Sequence, residues 1–289
     1  MSVLRTFYPK ALRNGNYRIV MESFESAEEI VRKSNEREIT NDEFKEEFTR
    51  SQISKNSRWY GASSWKEATD LLKNGYADAV PELKKALDFT GKGESYKRAT
   101  RNDVVGFAPV VPLALMGLPN SMITSYRQPV RNKVINVYLD RTALSFRSVQ
   151  DITEAGKRFL SAIIDIEKQG YRINLTILKS NSDGTSGDML SLKIKDANSP
   201  IDLQRISFPL IHTAFARCIC FDWYSRCPLA TYRYGFGRHL GDSFSNEEYT
   251  KAMEEIFREK LVLFEMEKLI DSSEEHIKDV ILSANERLA

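Results

Sequence analysis

The amino-acid sequence predicts an α/β protein with a mostly helical N-terminal region, residues 1–130, and a three-layer α/β domain, residues 131–289. Two observations predict this architecture. After residue 133, an apolar run, an amphipathic helix and a second apolar run follow one another, which is the pattern of a βαβ unit. Before that point, helix start signals of the Ser/Thr-x-x-Glu type recur at short intervals.

The start signals are capping boxes, in which a hydroxyl accepts a hydrogen bond at the start of a helix and a glutamate three residues later reaches back. They begin at Ser26, Thr40 and Ser64 and predict helices over residues 27–33, 41–48 and 65–73. A short extended piece, Tyr17–Met21, precedes the first helix, and Gly75 is placed to close the third.

Four aromatic residues surround the third of these helices, and they allow two interpretations. Either they pack short helices that lack a large core, which is the interpretation we prefer, or they form an aromatic binding platform. The residues are Trp59, Tyr60, Trp65 and Tyr76.

The α/β domain begins with an apolar run at residues 134–140, which predicts a strand covered on both faces. An amphipathic helix over residues 149–169 and a β-rich run over residues 171–178 follow it. A strand, a helix and a strand within so short a stretch predict two parallel strands joined by a right-handed crossover. An alternating run at residues 189–194 then predicts an edge strand.

The last part of the chain reads mainly as helices. Residues 208–227 predict a mostly apolar helix, and residues 231–236 predict a short aromatic strand. Two charged helices are predicted to complete the chain, one capped by Ser245 and reaching Met266, the other capped by Ser272.

The composition limits the class of protein. The chain has 289 residues, of which 42% are hydrophobic and 28% charged, which excludes a disordered chain. Its 42 basic and 40 acidic residues give a net charge of +2, so a nucleic-acid site would have to be a local patch. Three cysteines exclude a disulfide scaffold and favour a reducing cytosol.

The most apolar stretch, Val104–Ile123, is broken by prolines and glycines. A membrane-spanning helix needs about 20 mostly apolar residues without such breaks. We therefore predict a buried irregular connection here, with a peripheral membrane or partner contact as the alternative. The start of the chain, MSVLRTFYPK, lacks the apolar core of a signal peptide, so we predict a cytoplasmic protein with no membrane partner.

The strand that ends at Asp140 is the most informative site, because open α/β sheets bind ligands at the carboxyl ends of their strands. The run V-Y-L-D-R-T-A-L-S-F and the helix that leads into E-K-Q-G-Y-R-I-N-L resemble a von Willebrand factor A-like domain from Lys133 to His239. A later helix, Pro209–Arg217, and the pair Tyr234-Gly235 fit the same resemblance. It implies a three-layer, Rossmann-like sheet.

In that family the first strand ends in Asp-x-Ser-x-Ser, whose side chains hold Mg²⁺ or Mn²⁺. Asp140 and Thr142 match two of these ligands, but Leu144 stands where the family has its second serine. Because a hard cation needs several oxygen ligands, we predict a degenerate site that binds no metal. Asp140 would then cap the following helix or pair with an arginine.

The unit Trp59–Tyr76 joined to such a domain is similar to bacteriophage and prophage proteins without an assigned function. The resemblance implies protein binding or assembly through the carboxyl ends of the strands, in the host cytoplasm. We therefore predict a non-enzymatic, phage-associated protein whose partner is another protein. The oligomeric state and the identity of the partner do not follow from the sequence.

Catalytic signatures are weak. Cys218, Cys220 and Cys227 lack the spacing of a zinc site and are expected to be buried thiols. The histidines are scattered, and none has a local serine or cysteine arranged for nucleophilic catalysis. His212 is expected to satisfy a buried backbone group. We predict neither an enzyme nor a cofactor.

One basic and aromatic stretch, Trp223–His239, supports an alternative function. Arg226, Arg233 and Arg238 alternate there with tyrosine and phenylalanine. Arginine holds phosphates while aromatic rings stack on bases, so this stretch indicates a single-stranded nucleic-acid-binding protein. The same spacing also describes an ordinary packed strand.

Overall fold

The structure is a computed structural model that describes residues 2–39, 48–86, 96–129, 133–144, 146–229 and 238–288. The fold is mixed α/β, with a six-stranded and a three-stranded sheet. The strands are β1 (Val3–Phe7), β2 (Arg18–Phe24), β3 (Tyr96–Asp103), β4 (Ala108–Pro109), β5 (Met122–Pro129), β6 (Val134–Asp140), β7 (Arg172–Ser182), β8 (Ser186–Lys195) and β9 (Val262–Glu265). The helices are α1 (Ala27–Glu36), α2 (Arg50–Lys55), α3 (Ser57–Tyr60), α4 (Trp65–Asn74), α5 (Val80–Ala86), α6 (Val111–Leu115), α7 (Val149–Lys168), α8 (Leu203–Ile211), α9 (Phe221–Arg226), α10 (Asn246–Phe257), α11 (Met266–Leu269) and α12 (Glu274–Leu288).

The six-stranded sheet has the order β1-β2-β8-β7-β6-β9. Strands β6 and β7 are parallel, as the predicted βαβ unit requires, and β9 pairs parallel to β6 on its other side. Strand β8 is antiparallel to β7 and parallel to β2. It therefore lies inside the sheet, and the prediction of an edge strand there is wrong.

Two hydrophobic cores cover the two faces of this sheet. On β6, Ile135, Val137 and Leu139 point into the larger core, which contains the apolar face of α7. Tyr138 points the other way, into a smaller core formed with α10. Because successive strand residues face opposite sides, an apolar run such as β6 is buried on both. The result is a helix–sheet–helix arrangement.

The N-terminal region is not mostly helical. Strands β1 and β2 extend the main sheet, and β3, β4 and β5 form the second sheet. The sequence predicts Tyr17–Met21 as an extended piece but not its place in the main sheet, because the partner strand β8 lies more than 160 residues away. The division at residues 130 and 131 stays a prediction; the pairing of β2 with β8 shows that it cuts through one sheet.

The predicted helix from Ser245 to Met266 is also wrong in its second half. Helix α10 begins with the predicted cap, in which the Ser245 hydroxyl accepts from the Glu248 amide. It ends at Phe257, and the left-handed backbone of the next residue, Arg258 (φ 57°), turns the chain towards β9. The last helix is capped by Ser273, not Ser272, because the Ser273 hydroxyl accepts from the His276 amide at 3.2 Å.

Other helix signals are confirmed. The hydroxyls of Ser26 and Ser64 accept from the amides of Glu29 and Glu67 and start α1 and α4. Gly75 ends α4 with φ 80°, and a Cβ at this position would lie 2.2 Å from the Gln204 carbonyl oxygen. The helix predicted over residues 41–48 lies almost wholly outside the described residues, and the strand over residues 231–236 lies wholly outside them.

The apolar helix predicted over residues 208–227 is interrupted. Helix α8 stops before His212, and a π-helical segment, Phe215–Cys220, precedes α9. The break frees backbone carbonyls near the end of α8. The buried Arg141 satisfies two of them, donating from Nε to Pro209 O (3.0 Å) and from Nη2 to His212 O (3.3 Å). Its positive charge also suits the C-terminal end of a helix.

Candidate functional site

The strand order identifies where a ligand site is expected. Along the chain, β6 is followed by β7 on one side and, later, by β9 on the other, so the order reverses between β6 and β9. Open α/β sheets bind ligands outside the carboxyl ends of their strands at such a switch point. Asp140 ends β6 and Glu265 ends β9, and the two residues are partners in the ladder.

Asp140 is buried and accepts hydrogen bonds on both carboxylate oxygens. Its Oδ1 accepts from the Thr142 amide (2.9 Å), the Thr142 hydroxyl (2.7 Å) and the Ser180 amide (3.3 Å). Its Oδ2 accepts from the Ser180 hydroxyl and from the Tyr249 hydroxyl, the latter at 2.8 Å. The predicted residues Asp140 and Thr142 are therefore brought together, and the carboxylate fixes three elements rather than facing solvent.

The network around Asp140 includes a buried lysine. Lys179 Nζ donates to Thr142 Oγ1 (3.1 Å) and lies 5.8 Å from the centre of the Tyr224 ring. Burial lowers the pKa of Lys179 to about 8, although the charge of Asp140 opposes this. Burial alone would raise the pKa of Asp140, but His239, Lys179 and the hydroxyl donors hold it below its ordinary value. Asp140 is thus ionised at neutral pH.

A second buried pair lies at the end of β9. His239 Nδ1 is 3.2 Å from Glu265 Oε2, and His239 Nε2 is 3.1 Å from Asp242 Oδ1. Lys268 also contacts Glu265. In the sequence, His239 is far from the other candidate site residues of the strand ends. In the fold, it lies beside the switch point between β6 and β9. The Asp242 carboxylate lies beside Nε2, whereas His239 Nδ1 and Glu265 Oε2 are buried and, among the described residues, neither atom has a hydrogen-bond partner.

Metal binding at this place would require a rearrangement of Asp140, because both of its oxygens accept from protein donors. Leu144 has no side-chain oxygen to offer; its backbone amide donates to Glu267 Oε2 at 3.2 Å, and its carbonyl accepts from the Arg147 amide at 3.1 Å. In the parts of the chain that are described, no three His, Cys, Asp or Glu side chains are arranged to hold a metal ion. The absence of metal stays a prediction.

The arginines of the predicted nucleic-acid stretch are not assembled into one surface by the described residues. Arg226 Nε donates to the buried Asp222 at 3.0 Å, and its Nη1 donates to the Arg37 carbonyl. Arg238 is exposed near the end of β7, where its carbonyl accepts from the Ser182 amide. Arg233 lies outside the described residues. Arg226 therefore has an intramolecular role.

The aromatic unit and the cysteines mainly contribute to packing. Tyr60 is buried, and Trp59, Trp65 and Tyr76 pack against the larger core. The three cysteines are buried and free, as predicted. His212 Nδ1 accepts from the Ala214 amide at 3.2 Å, which confirms that it satisfies a backbone group.

His212 should make stability depend on pH. Burial, followed by the nearby Arg141, lowers its pKa from 6.5 to about 4. As the pH falls, His212 is therefore protonated in the unfolded chain before it is protonated in the folded chain. The free energy of unfolding decreases as the pH falls from 6.5 to 4. The expected loss at pH 4 is about 3 kcal/mol. Urea unfolding of the wild type and of His212→Asn, at pH 7 and pH 4, measures it; equal pH dependence in both proteins would contradict this assignment.

An open cleft of about 580 Å³ lies beside the start of α7. Its lining includes Arg58 and Trp59 from α3, Phe146 and Arg147 from the loop before α7, and Arg217 from the π-helical segment. Sequence reasoning considered Trp59 but missed the three arginines. Arg58 and Arg217 are more than 150 residues apart in the sequence, so only the tertiary fold brings them together.

A further feature is the three-stranded sheet with its connecting turns, residues 96–129, which we call the arm. None of the side chains described in the arm belongs to either hydrophobic core. Large apolar side chains are exposed instead, including Val105 (78%), Phe107 (70%) and Leu115 (84%). The prediction of a buried connection over Val104–Ile123 is therefore wrong. Within the described residues, no helix has the length and apolar character needed to cross a bilayer.

Comparison with known protein families gives a match over most of the chain. Residues 10–283 match the model of a family described as a domain of unknown function, DUF7192. No curated protein and no solved structure matches the chain.

Proposed function

The chain belongs to the DUF7192 family, and we propose that it acts as a non-enzymatic protein-binding or assembly protein whose contact surface is the arm. The exposed apolar surface of the arm carries this proposal. Isolated small sheets need a packed apolar face for stability, yet no residue of the arm is buried where burial is described. A partner that covers this face would supply the missing packing.

The exposed side chains on the arm are concentrated near its tip. Seven large apolar residues there are exposed: Val104, Val105, Phe107, Val111, Leu115, Met116 and Leu118. Monomeric soluble proteins rarely expose so many apolar groups close together, and such patches mark contact surfaces. Phenylalanine and methionine are also enriched at the centres of protein interfaces.

The charge pattern favours a protein over a membrane as the occupant. At the tip of the arm, residues 104–126 contain no charged side chain; the basic residues of the arm, Lys97, Arg98, Arg101 and Arg127, belong to β3 and β5 outside that stretch. Segments that bind membrane surfaces usually combine an apolar face with lysine and arginine that attract anionic lipids. A partner protein with an uncharged apolar surface fits the tip without such residues.

Because the carboxyl ends of the strands are buried, the proposed contact with a partner protein is not placed there. Asp140 and Thr142 are buried and engaged with protein donors, so they are unsuited to touching a partner directly. Their role in the proposal is to hold the carboxyl ends of β6 and β7 together. The contact itself is assigned to the arm.

A degenerate von Willebrand factor A-like domain is the proposed body of the molecule. The parallel pair β6–β7, the connecting α7 and the acidic residue at the end of β6 support this assignment. Leu144, at the position of the second serine, supports a degenerate metal site. The association with bacteriophages rests on the sequence resemblance alone.

A triple variant of the arm tests the proposal. Phe107, Leu115 and Met116 are exposed, so replacing all three with serine should leave the melting temperature unchanged. Tagged wild type and variant are used for nuclease-treated capture from phage-infected and uninfected cells. A protein captured only by the wild type is then purified and titrated against both forms; we expect micromolar binding by the wild type and at least tenfold weaker binding by the variant.

The matched control replaces Val3, Tyr8 and Val134, which are exposed apolar residues outside the arm, with serine. Equal binding of the purified partner by wild type and arm variant would contradict the proposal. Sedimentation velocity separates a second copy from another protein as the occupant: self-association that the arm variant abolishes would assign the arm to a homo-oligomer. Binding to anionic vesicles that the arm variant abolishes would assign it to a membrane.

A further inference from the structure

The cleft beside α7 has an excess of positive charge. Among its lining residues are Arg58, Arg147 and Arg217, and none of the lining residues that the structure describes is acidic. Arg147 is paired with Glu267, whose Oε1 accepts from Arg147 Nε at 2.6 Å. The structure gives no acidic partner for Arg58 or Arg217 among the described residues. An anion in the cleft would therefore meet two arginines that are not already neutralised.

Arg217 is the most informative of these residues, because it is only 7% exposed. Its Nη1 donates to the Trp59 carbonyl (2.8 Å), and its Nη2 donates to the Arg147 carbonyl (3.2 Å). Both acceptors are neutral, and a guanidinium has five N–H donors, so donors remain for a ligand. A buried charge without a counter-ion is costly. A bound anion would offset that cost.

A second buried arginine increases the positive potential behind the cleft. Burial, with a smaller contribution from the charge of Arg217, lowers the pKa of Arg141 to about 10. Two cations that repel each other at this depth favour an anion nearby. The π-helical segment that carries Arg217 is itself a type of helix distortion that occurs frequently at functional sites.

Aromatic rings accompany the arginines. The Arg217 guanidinium lies 4.5 Å from the centre of the Trp59 ring. Phe146, another lining residue, is 76% exposed. A phosphate satisfies arginine donors, whereas a planar base stacks on aromatic side chains. A ligand that carries both groups fits this lining better than a simple anion.

We propose that the cleft binds a nucleoside phosphate, with the phosphate at Arg58 and Arg217 and the base against Phe146 and Trp59. The ligand is either a free nucleotide or one nucleotide of a single strand, since both present the same chemistry. The cleft volume lies within the range of small-molecule sites, about 300–1,000 Å³. This inference is independent of the arm, because no described residue of the arm lines the cleft.

Two exposed residues provide variants that should preserve the fold. Arg58→Gln removes a phosphate donor, and Phe146→Ser removes a stacking surface. Arg205→Gln is the matched control, because Arg205 is exposed and does not line the cleft. The full chain is titrated with a fluorescein-labelled twelve-nucleotide thymidine strand, with ATP and with inorganic phosphate, by anisotropy for the strand and calorimetry for the others.

We expect Arg58→Gln and Phe146→Ser each to weaken binding at least about fivefold, while Arg205→Gln binds as the wild type does. For the thymidine strand, Arg58→Gln should also reduce the log–log salt slope by about 0.7. Binding of the strand identifies a single-stranded ligand, and binding of ATP alone identifies a free nucleotide. The proposal is overturned if neither binds more tightly than about 1 mM, if both variants bind as the wild type does, or if inorganic phosphate binds as well as ATP.

Discussion

The variant Asp140→Ala is expected to lower the free energy of unfolding by about 3–5 kcal/mol. Asp140 is buried and accepts hydrogen bonds from Thr142, Ser180 and Tyr249. Removing the carboxylate leaves those donors without an acceptor and leaves the nearby Lys179 without its negative neighbour. Both effects act in a buried region, where an unmatched polar group or charge is most costly.

Urea unfolding followed by circular dichroism measures this loss, with Asp279→Ala as the matched control. Asp279 is exposed on α12, so its replacement should change stability by less than about 0.5 kcal/mol. We expect the Asp140→Ala loss to be the same in Mg²⁺ and in EDTA, because the carboxylate oxygens already accept from protein donors. A loss below about 1 kcal/mol, or one that appears only in Mg²⁺, would show that Asp140 has a different role.

The elements that the sequence predicts well are those determined by neighbouring residues. The apolar run of β6, the spacing of α7 and the parallel β7 all lie within 134–182, and their pairing follows from a single crossover. The caps of α1 and α4 involve residues three positions apart. Local patterns of this kind do not depend on the rest of the chain.

Strand β9 shows what local patterns miss. Strand β9 has only four residues between two helices, and its pairing with β6 joins positions more than 120 residues apart. The left-handed turn at Arg258 that separates it from α10 has no glycine to signal it. The sequence from residue 246 to residue 266 alone favours one continuous charged helix. The pairing of β9 with β6 in the sheet shows that the helix is interrupted.

The candidate sites divide in the same way. Asp140 could be predicted because it follows an apolar strand, and the position of a strand end is visible in the sequence. Tyr249 and Lys179 could not, because their contacts with the same site come from other elements. The cleft could not be predicted from the sequence for a further reason. Arg217 lines it from a π-helical segment, and such a segment has no recognisable periodicity of apolar residues.

Asp222 offers a test of whether the two predicted regions unfold together. This buried carboxylate on α9 accepts from Arg50 on α2, with Nε at 2.9 Å and Nη2 at 2.8 Å. It also accepts from Arg226. The ion pairs therefore join residues on both sides of the predicted boundary, and the Arg50 guanidinium in turn lies 4.1 Å from the centre of the Trp65 ring.

We expect Asp222→Ala to lower the free energy of unfolding by about 3–5 kcal/mol, because two arginines lose their common carboxylate in a region of low exposure. Asp70→Ala, an exposed change on α4, is the matched control. Tryptophan fluorescence and circular dichroism should follow one coincident transition in both variants, since β2 and β8 also tie the regions together. Two separate transitions, with only the earlier one shifted by Asp222→Ala, would instead establish residues 1–130 as an independent domain.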